Sequence, residues 1–249
     1  SISKIDLLCK FLYGFKLFTM IFNQLFDNKS STYTYIIASG KGREALIIDP
    51  VIENTDEYIK VLKNLDLKLV KVIDTHIHAD HITGLNELSK RTGCSKIMGE
   101  QSKSEVLDIR VKDNEKIIIE DIELTSIYTP GHTDCSYSFL MNDRVFTGDI
   151  LLINTTGRTD FQSGSSYDAY DSLFNRLLKL PEKTLVYPAH DYNEKKYSTI
   201  ENEKNNNPRL QVSSKEEYAE IMDNLNLANP NMIDVAVPAN LKGITLDQL

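Results

Sequence analysis

Apolar residues along the chain recur with two periods, and these predict strands and helices in turn. Runs rich in β-branched and aromatic residues predict strands at residues 32–38, 44–49, 69–74, 96–98, 116–120, 123–128, 139–141, 145–147 and 184–187. The glycine-containing stretch 39–42 predicts a hairpin between the first two strands. Because the strands come in pairs that helices then cover, we expect a layered α/β sandwich.

Helices are predicted where apolar residues return every three or four positions. The first is expected to be capped by Asn54, and the second covers residues 84–90. The third spans residues 170–178 and ends before Pro181, and the fourth begins with a capping box at Ser214. The Asn-rich stretch 205–208 is expected to be a loop. The apolar face of the first helix is expected to comprise Tyr58, Val61, Leu62 and Leu65.

The sequence divides into a short N-terminal extension and one large domain. Residues 1–19 carry Lys4, Lys10 and Lys16 against a single acid, Asp6, which suits either the remnant of an organellar targeting segment or a helix packed on the domain. The lysines interrupt the apolar stretch 5–22, so no membrane span is expected. Residues 20–249 are expected to form the domain, including a short C-terminal extension.

The composition is that of a large acidic globular protein. Lys and Arg number 28 and Asp and Glu number 36, so the formal net charge is 28 − 36 = −8. Hydrophobic residues make up 41% of the 249 residues, which excludes disordered and collagen-like classes. The acidic balance argues against nucleic acid as a partner, because phosphate binding needs a basic face. Cys9, Cys94 and Cys135 form no CxxC pair, so a disulfide scaffold is not expected.

The five histidines lie next to predicted strands, and three of them are clustered. The cluster is the stretch 75–81, with the sequence THIHADH, and His132 and His190 each follow a short Pro-containing turn. Asp149 adds a carboxylate at the end of another predicted strand. Such a pattern is typical of a rigid sheet that presents ligands from loops along one edge. Imidazole together with carboxylate suits Zn, Fe or Mn.

Counting the donors alone predicts a site for two metals. Seven side chains qualify, which is enough for two ions with Asp149 as a bridge. On this count we expect a dinuclear hydrolase in which a metal-bound hydroxide attacks an ester or thioester. The seven candidate ligands are His76, His78, Asp80, His81, His132, Asp149 and His190.

Short motifs also carry a resemblance to a known superfamily. The sequences THIHADH at 75–81, PGHT at 130–133, TGD at 147–149 and PAH at 188–190 resemble, in this order, the metallo-β-lactamase superfamily. Further motifs resemble its persulfide dioxygenases of the ETHE1 type, namely GRTDFQ at 157–162, PAHDY at 188–192, NPRL at 207–210 and VPAN at 237–240. The resemblance extends from about residue 20 to the C-terminus. It implies an α/β fold, the αβ/βα sandwich in which helices flank two mixed β-sheets.

The resemblance implies a different metal site from the one that donor counting predicts. Members of that family hold a single Fe(II) by two histidines and one aspartate, which correspond to His76, His132 and Asp149. This set is the facial triad of non-haem iron oxygenases, and iron, unlike zinc, can activate O2. The other donors would then orient the ligands and bound water, or would hold a second metal: His78, Asp80, His81 and His190.

The activity implied by the resemblance is the O2-dependent oxidation of glutathione persulfide to sulfite and glutathione. The alternative is a glyoxalase II-type hydroxyacylglutathione hydrolase with two Zn or Fe ions. Those hydrolases place aromatic residues directly after the arginine that corresponds to Arg158, whereas here Thr159 and Asp160 follow it, which favours the dioxygenase. We expect a mitochondrial protein, with the cytoplasm or another organelle as alternatives, and a homodimer is compatible with the sequence.

An acidic protein that binds an anionic tripeptide needs a local cation. Arg158 is the candidate for pairing with a glutathione carboxylate, because its planar group can bind bidentately, and the structural alternative is an ion pair with Asp160. Tyr192 is the candidate for a hydrogen bond at the rim of the site. Arg158, Asp160 and Tyr192 are therefore the candidate substrate-binding residues, while Arg209 is expected to be structural, in a turn fixed by proline.

Overall fold

Two six-stranded β-sheets form the centre of the fold. The computed structural model describes residues 20–193, 195–228 and 232–249, so the N-terminal extension 1–19 lies outside the described residues. The order of the first sheet is β1 (Ile21–Asp27), β2 (Thr32–Ala38), β3 (Glu44–Ile48), β4 (Lys68–Ile73), β5 (Ser95–Gly99) and β6 (Ile109–Val111). The order of the second is β14 (Ser198–Thr199), β13 (Leu185–Pro188), β10 (Arg144–Gly148), β9 (Tyr137–Leu140), β8 (Ile122–Tyr128) and β7 (Lys116–Ile119). A small hairpin pairs β11 (Leu151–Leu152) with β12 (Thr155–Thr156).

Both sheets mix parallel and antiparallel pairs. In the first sheet β1, β2 and β3 pair antiparallel, and β3 to β6 pair parallel. In the second sheet β10 and β13 form a parallel pair between antiparallel neighbours. The predicted hairpin between the strands at 32–38 and 44–49 is confirmed, with Ala38 opposite Ala45 at its closed end.

Helices cover the outer face of each sheet. On the first sheet lie α1 (Thr55–Asn64) and α2 (Leu85–Thr92). The second sheet is covered by α3 (Ser166–Tyr170), which continues through a π-helical segment to Lys179, and by α4 (Ile200–Asn206) and α5 (Lys215–Asp223). Helix α6 (Ile233–Lys242) packs near the ends of the strands. Within the described part of the chain, none of the helices is long and apolar enough to cross a membrane.

Alternation along β2 shows why the sheets stack in this way. Tyr35 and Ile37 belong to the core between the two sheets, together with Phe139 and Phe146 of the second sheet. Their neighbours on β2, such as Ile36, point to the opposite face and pack against α1 and α2. Since both faces of the strand are apolar, β2 can lie only in a layer that is covered on both sides. The predicted αβ/βα sandwich is therefore confirmed.

Two local predictions were wrong. Asn54 precedes α1 but its side chain makes no cap, because its amide donates instead to Asp27 Oδ1 at 3.1 Å. The stretch 205–208 is not a loop, since α4 runs to Asn206 and a 3₁₀ turn begins at Pro208. The capping at Ser214 is confirmed for the serine, which accepts a hydrogen bond from the backbone N–H of Glu217 at 3.1 Å.

Candidate metal centre

All five histidines and Asp149 lie in loops at the ends of strands. The cluster at 75–81 follows β4, and His132 lies four residues after the end of β8. Asp149 follows β10 directly, and His190 lies two residues beyond β13. One strand of the first sheet, β4, and three strands of the second, β8, β10 and β13, thus carry donors to a common edge, as the sequence predicts.

Two glycines make this convergence possible. Gly148 adopts a positive φ of +54° and lies so close to Thr75 that a Cβ there would meet the threonine Oγ1 at 2.7 Å. Gly157 crosses over Asp149, and a Cβ at this position would lie 2.0 Å from the backbone oxygen of Asp149. Larger side chains would therefore separate the donor-bearing loops.

His76, His132 and Asp149 form one compact donor set. A donor atom of each lies within 4.8 Å of the other two. The Nε2 atoms of His76 and His132 lie 3.8 Å and 3.6 Å from Asp149 Oδ2, too far apart for hydrogen bonds. Two imidazole nitrogens and a carboxylate oxygen that face one another without bonding directly fit a shared cation.

The second ring nitrogens of these histidines are held by other groups. His132 Nδ1 lies 2.8 Å from the backbone carbonyl of Arg158, to which it can only donate, so its Nε2 lone pair is free for a metal. His76 Nδ1 lies 2.9 Å from the hydroxyl of Thr75. Burial and the neighbouring His78 hold the pKa of His76 well below its usual value, so this ring is neutral. A neutral imidazole is the form that binds metals.

A second group of donors comprises His78, Asp80 and His81, again with donor atoms within 4.8 Å of one another. Two buried nitrogens, His78 Nδ1 and His81 Nε2, have no hydrogen-bond partner among the described residues. An unpartnered buried nitrogen is costly, so both nitrogens are candidates to contact an ion or water. The structure therefore brings all seven predicted donors into one region.

His190 lies between the two donor groups. Its Nδ1 is 2.6 Å from Asp149 Oδ1 and its Nε2 is 2.7 Å from Asp80 Oδ2. Burial alone would lower the pKa of His190, but the two carboxylates outweigh burial and raise it well above its usual value. Conversely, burial opposes ionisation of Asp149, but His190 together with His76 and His132 lowers the pKa of this carboxyl. The site therefore contains an ionised Asp149 held by a charged imidazole.

Asp49 holds the loop at 75–81 in place through hydrogen bonds. Its carboxylate accepts hydrogen bonds from the backbone N–H of Thr75 at 2.8 Å and from the Thr75 hydroxyl at 3.1 Å. His78 Nε2 lies 3.2 Å from the same carboxylate. Burial raises the pKa of Asp49 to about 6, although His76 and Thr75 act in the opposite direction. Asp74 is also buried, and burial together with Asp49 raises its pKa well above the usual value.

A cavity of about 750 Å³ opens over the donors, and Arg158 and Tyr192 line it. The guanidinium of Arg158 forms two 2.7 Å hydrogen bonds with the Asp160 carboxylate, and a third 2.7 Å bond with the backbone oxygen of Ala228. The ion pair considered as the structural alternative is thus present. Tyr192 is 70% exposed at the rim, and its ring lies parallel to that of His190.

Arg209, for which the sequence predicted only a structural role, also lines the cavity. Its guanidinium donates to the backbone oxygen of Thr156, but it has no carboxylate partner among the described residues. Burial lowers its pKa, against the influence of Tyr218. The expected structural role is confirmed by this hydrogen bond and by the 3₁₀ turn that begins at Pro208. In addition, a partly buried cation that has no carboxylate partner among the described residues can pair with an anion in the cavity. Lys29 also lines the cavity, with no ion pair in the described part of the chain.

A family model described as the metallo-beta-lactamase superfamily matches residues 28–190, which include all seven donors. The chain belongs to the metallo-beta-lactamase superfamily. Its fold and its His/Asp cluster agree with the metal-binding site of that superfamily.

Within this superfamily the chain is similar to ETHE1 proteins. It is 42% identical over 226 residues to the mouse protein named "Persulfide dioxygenase ETHE1, mitochondrial", which covers 90% of this chain and 88% of the mouse protein. The crystal structure of ETHE1 from Myxococcus xanthus superposes with a TM-score of 0.87 at 46% identity, covering 89% of this chain and 98% of that one. A hydroxyacylglutathione hydrolase of Dictyostelium discoideum is 30% identical over 70% of this chain and 68% of its own length. The expected resemblance to the ETHE1-type persulfide dioxygenases is therefore confirmed.

Proposed function

We propose that this protein is a persulfide dioxygenase, which oxidises glutathione persulfide with O2 and water to sulfite and glutathione. The observation that carries this proposal is the 42% identity to a named persulfide dioxygenase over nine tenths of the chain. The hydroxyacylglutathione hydrolase is more distant, at 30% identity and lower coverage. In the balanced reaction, the outer sulfur of the persulfide gains three oxygen atoms, two from O2 and one from water. This sulfur is released as sulfite, and glutathione is released as a thiol.

The metal of this site would be a single Fe(II), held by His76, His132 and Asp149. Two imidazoles and one carboxylate are the donor set of mononuclear iron oxygenases. Bound Fe(II) would supply the redox chemistry that O2 activation requires and that zinc cannot provide. The free Nε2 atoms of both histidines and the ionised state of Asp149 support this assignment.

His190 supports one metal rather than two. Both of its ring nitrogens are engaged with carboxylates, Asp149 on one side and Asp80 on the other. Neither nitrogen has a lone pair directed to a second ion while these contacts persist. In this proposal His190 holds Asp149 in the orientation that its ligand role needs, and Asp80 and His81 complete the hydrogen-bonded frame.

The substrate would occupy the cavity, with its persulfide at the donor set and its carboxylates toward the cations. Arg209 supports this placement most directly, because it has no carboxylate partner among the described residues. Arg158 is paired with Asp160, so in this proposal the two side chains together form a fixed part of the cavity wall. Tyr192 at the exposed rim would contact the peptide from outside.

A second candidate function is the hydrolysis of an acylglutathione thioester with two metals. The observation that favours it is the pair of unpartnered nitrogens, His78 Nδ1 and His81 Nε2, beside Asp80. In that case His190 would have to leave one carboxylate and turn a nitrogen to the second ion. The two functions therefore differ in metal count and in the engagement of His190.

The name of the mouse relative includes the word mitochondrial, and we infer the same compartment for this protein. We also infer that residues 20–249 form its catalytic domain and that residues 1–19 are an extension.

One experiment separates the two functions. The purified protein is loaded anaerobically with Fe(II), its metal content is measured, and it is assayed for O2 uptake with glutathione persulfide and for hydrolysis of an acylglutathione. We expect about one iron per chain and O2 uptake with sulfite as the product. Two metals per chain with thioester hydrolysis and no O2 uptake would overturn the proposal.

A further inference from the structure

Thr32 lies outside the metal-binding motifs, but its hydroxyl contacts side chains that belong to them. Thr32 is the first residue of β2 and is fully buried. Its Oγ1 lies 3.2 Å from Asp80 Oδ2, 3.3 Å from His81 Nδ1 and 3.0 Å from His190 Nε2. One hydroxyl thus contacts three of the side chains that surround the proposed metal ligands.

Asp80 is the focus of these contacts. Its Oδ2 atom receives three donors: Thr32, His81 at 2.9 Å and His190 at 2.7 Å. His190 in turn contacts Asp149 at 2.6 Å through its other nitrogen. A displacement of Asp80 would therefore be passed through His190 to a proposed metal ligand.

The backbone holds Thr32 in this place independently of its hydroxyl. Thr32 and His190 form a β-bridge, and the backbone N–H of Tyr33 donates to Ala189 O at 2.7 Å. β2 belongs to the first sheet, and the segment at 189–190 follows β13 of the second. A rigid backbone contact between the two sheets therefore positions the Thr32 hydroxyl. Removal of the hydroxyl leaves this backbone contact in place.

We propose that Thr32 is a positioning residue whose hydroxyl fixes the Asp80–His190 pair and thereby the orientation of Asp149 toward the metal. This inference rests on the proposed function for its ligand set, His76, His132 and Asp149. Ser30, whose Oγ lies 2.7 Å from Thr32 Oγ1, restrains the same hydroxyl from the other side. Partners that orient metal ligands typically change metal affinity by about 10–100-fold when removed.

The test compares Thr32→Val, which keeps the shape of the side chain and removes the hydroxyl, with Thr32→Ser, which keeps the hydroxyl. Thr34→Val is the matched control, because Thr34 is buried on the same strand but, among the described residues, its hydroxyl bonds to Asp49 O and Tyr58 and to none of the seven donors. Each purified full-length variant is titrated with Fe(II) alone in competition with a chelator. The EPR spectrum of its Fe(II) form with nitric oxide is recorded, and its thermal unfolding is followed separately.

We expect Thr32→Val to lose about 10–100-fold in Fe(II) affinity and to change the EPR spectrum, as expected for a partner that orients metal ligands. Thr32→Ser and Thr34→Val should stay within a few-fold of wild type with an unchanged spectrum. The inference is overturned if Thr32→Val matches wild type, or if Thr34→Val shows the same loss. Wild-type protein that binds Fe(II) but consumes no O2 would refute the dioxygenase while leaving this test valid, and wild-type protein that binds no Fe(II) would overturn both.

Discussion

Gly157 passes directly over Asp149, and a Cβ at position 157 would lie 2.0 Å from the Asp149 backbone oxygen and 3.0 Å from His132 Nδ1. Two proposed ligands therefore meet at a residue that has no side chain. Gly157→Ala should push these ligands apart, lowering metal affinity by at least about 10-fold and stability by about 1–3 kcal/mol. Metal titration and urea unfolding measure the two effects.

The control for this variant is Gly93→Ala. Gly93 has a φ of +75°, but nothing lies within 4 Å of a Cβ built on it. This change should cost about 1–2 kcal/mol through backbone strain and leave metal affinity unchanged. If both alanine variants keep full metal affinity, the close packing at Gly157 is not needed to position the ligands.

His132→Ala should abolish metal loading and O2 uptake, because the donor set keeps only His76 and Asp149. The loss should exceed the roughly 10–100-fold that is typical of residues acting through a ligand. Iron per chain and O2 consumption are measured after Fe(II) loading. Lys103→Ala serves as the control, since the ion pair of Lys103 with Asp134 is exposed. A His132→Ala protein with full iron and full activity would contradict the ligand assignment.

Arg209→Gln should weaken binding of glutathione persulfide without removing the metal. A charged hydrogen bond contributes about 1.5–3 kcal/mol, so kcat/KM should fall by roughly 10–100-fold, mainly through KM. Steady-state O2 uptake against substrate concentration measures this, and iron content should remain unchanged. Arg91→Gln, which removes a surface pair with Asp56, is the control. Equal KM values for wild type and Arg209→Gln would exclude a contact with substrate.

The stability of the metal-free protein should depend on the ionisation of Asp49. The pKa of this carboxyl is raised from 3.8 to about 6, so the native state holds a proton that the unfolded chain releases. The resulting stabilisation is complete below pH 3.8 and is lost as the pH rises through about 6.

Asp49→Asn fixes a neutral side chain and removes this dependence. The free energy of unfolding of the variant minus that of wild type should increase by on the order of 2 kcal/mol between pH 4 and pH 7. Urea titrations in the presence of a chelator measure the difference, in which carboxylates that do not interact with Asp49 cancel. A difference that stays constant with pH would show that the pKa of Asp49 is not raised in the native state.

The sequence predicted nine of the fourteen described strands, and the donors, because these leave local signals; it did not predict β1, β6, β11, β12 and β14. Alternation marks the strands, and HxHxDH places its donors directly after one of them. The helix at Ile200–Asn206 left no such signal, since its polar residues are held by tertiary contacts. Buried Glu203, for example, accepts hydrogen bonds from Asn154 N at 3.0 Å and from Asn207 at 2.8 Å.

The features that the sequence did not predict depend on distant partners. Asn54 fails as a cap because its amide finds Asp27, which is 27 positions away. Arg209 is a candidate anion-binding residue because no carboxylate among the described residues pairs with it. The linear sequence does not show which carboxylates lie near this side chain. The hydroxyl of Thr32 lies in an ordinary strand, and only the packing of two sheets gives it three polar neighbours.

The bridge between Thr32 and His190 also bears on when the site can form during folding. These residues are 158 positions apart, so their contact closes a very long loop and belongs to the slow, non-local part of folding. A growing chain contains the histidine cluster at 76–81 long before it contains Asp149 or His190. The early segment can bind a metal only loosely, with an incomplete donor set. Correct metal loading therefore belongs to the finished domain, and synthesis that stalls before residue 190 should yield a chain that cannot retain its ion.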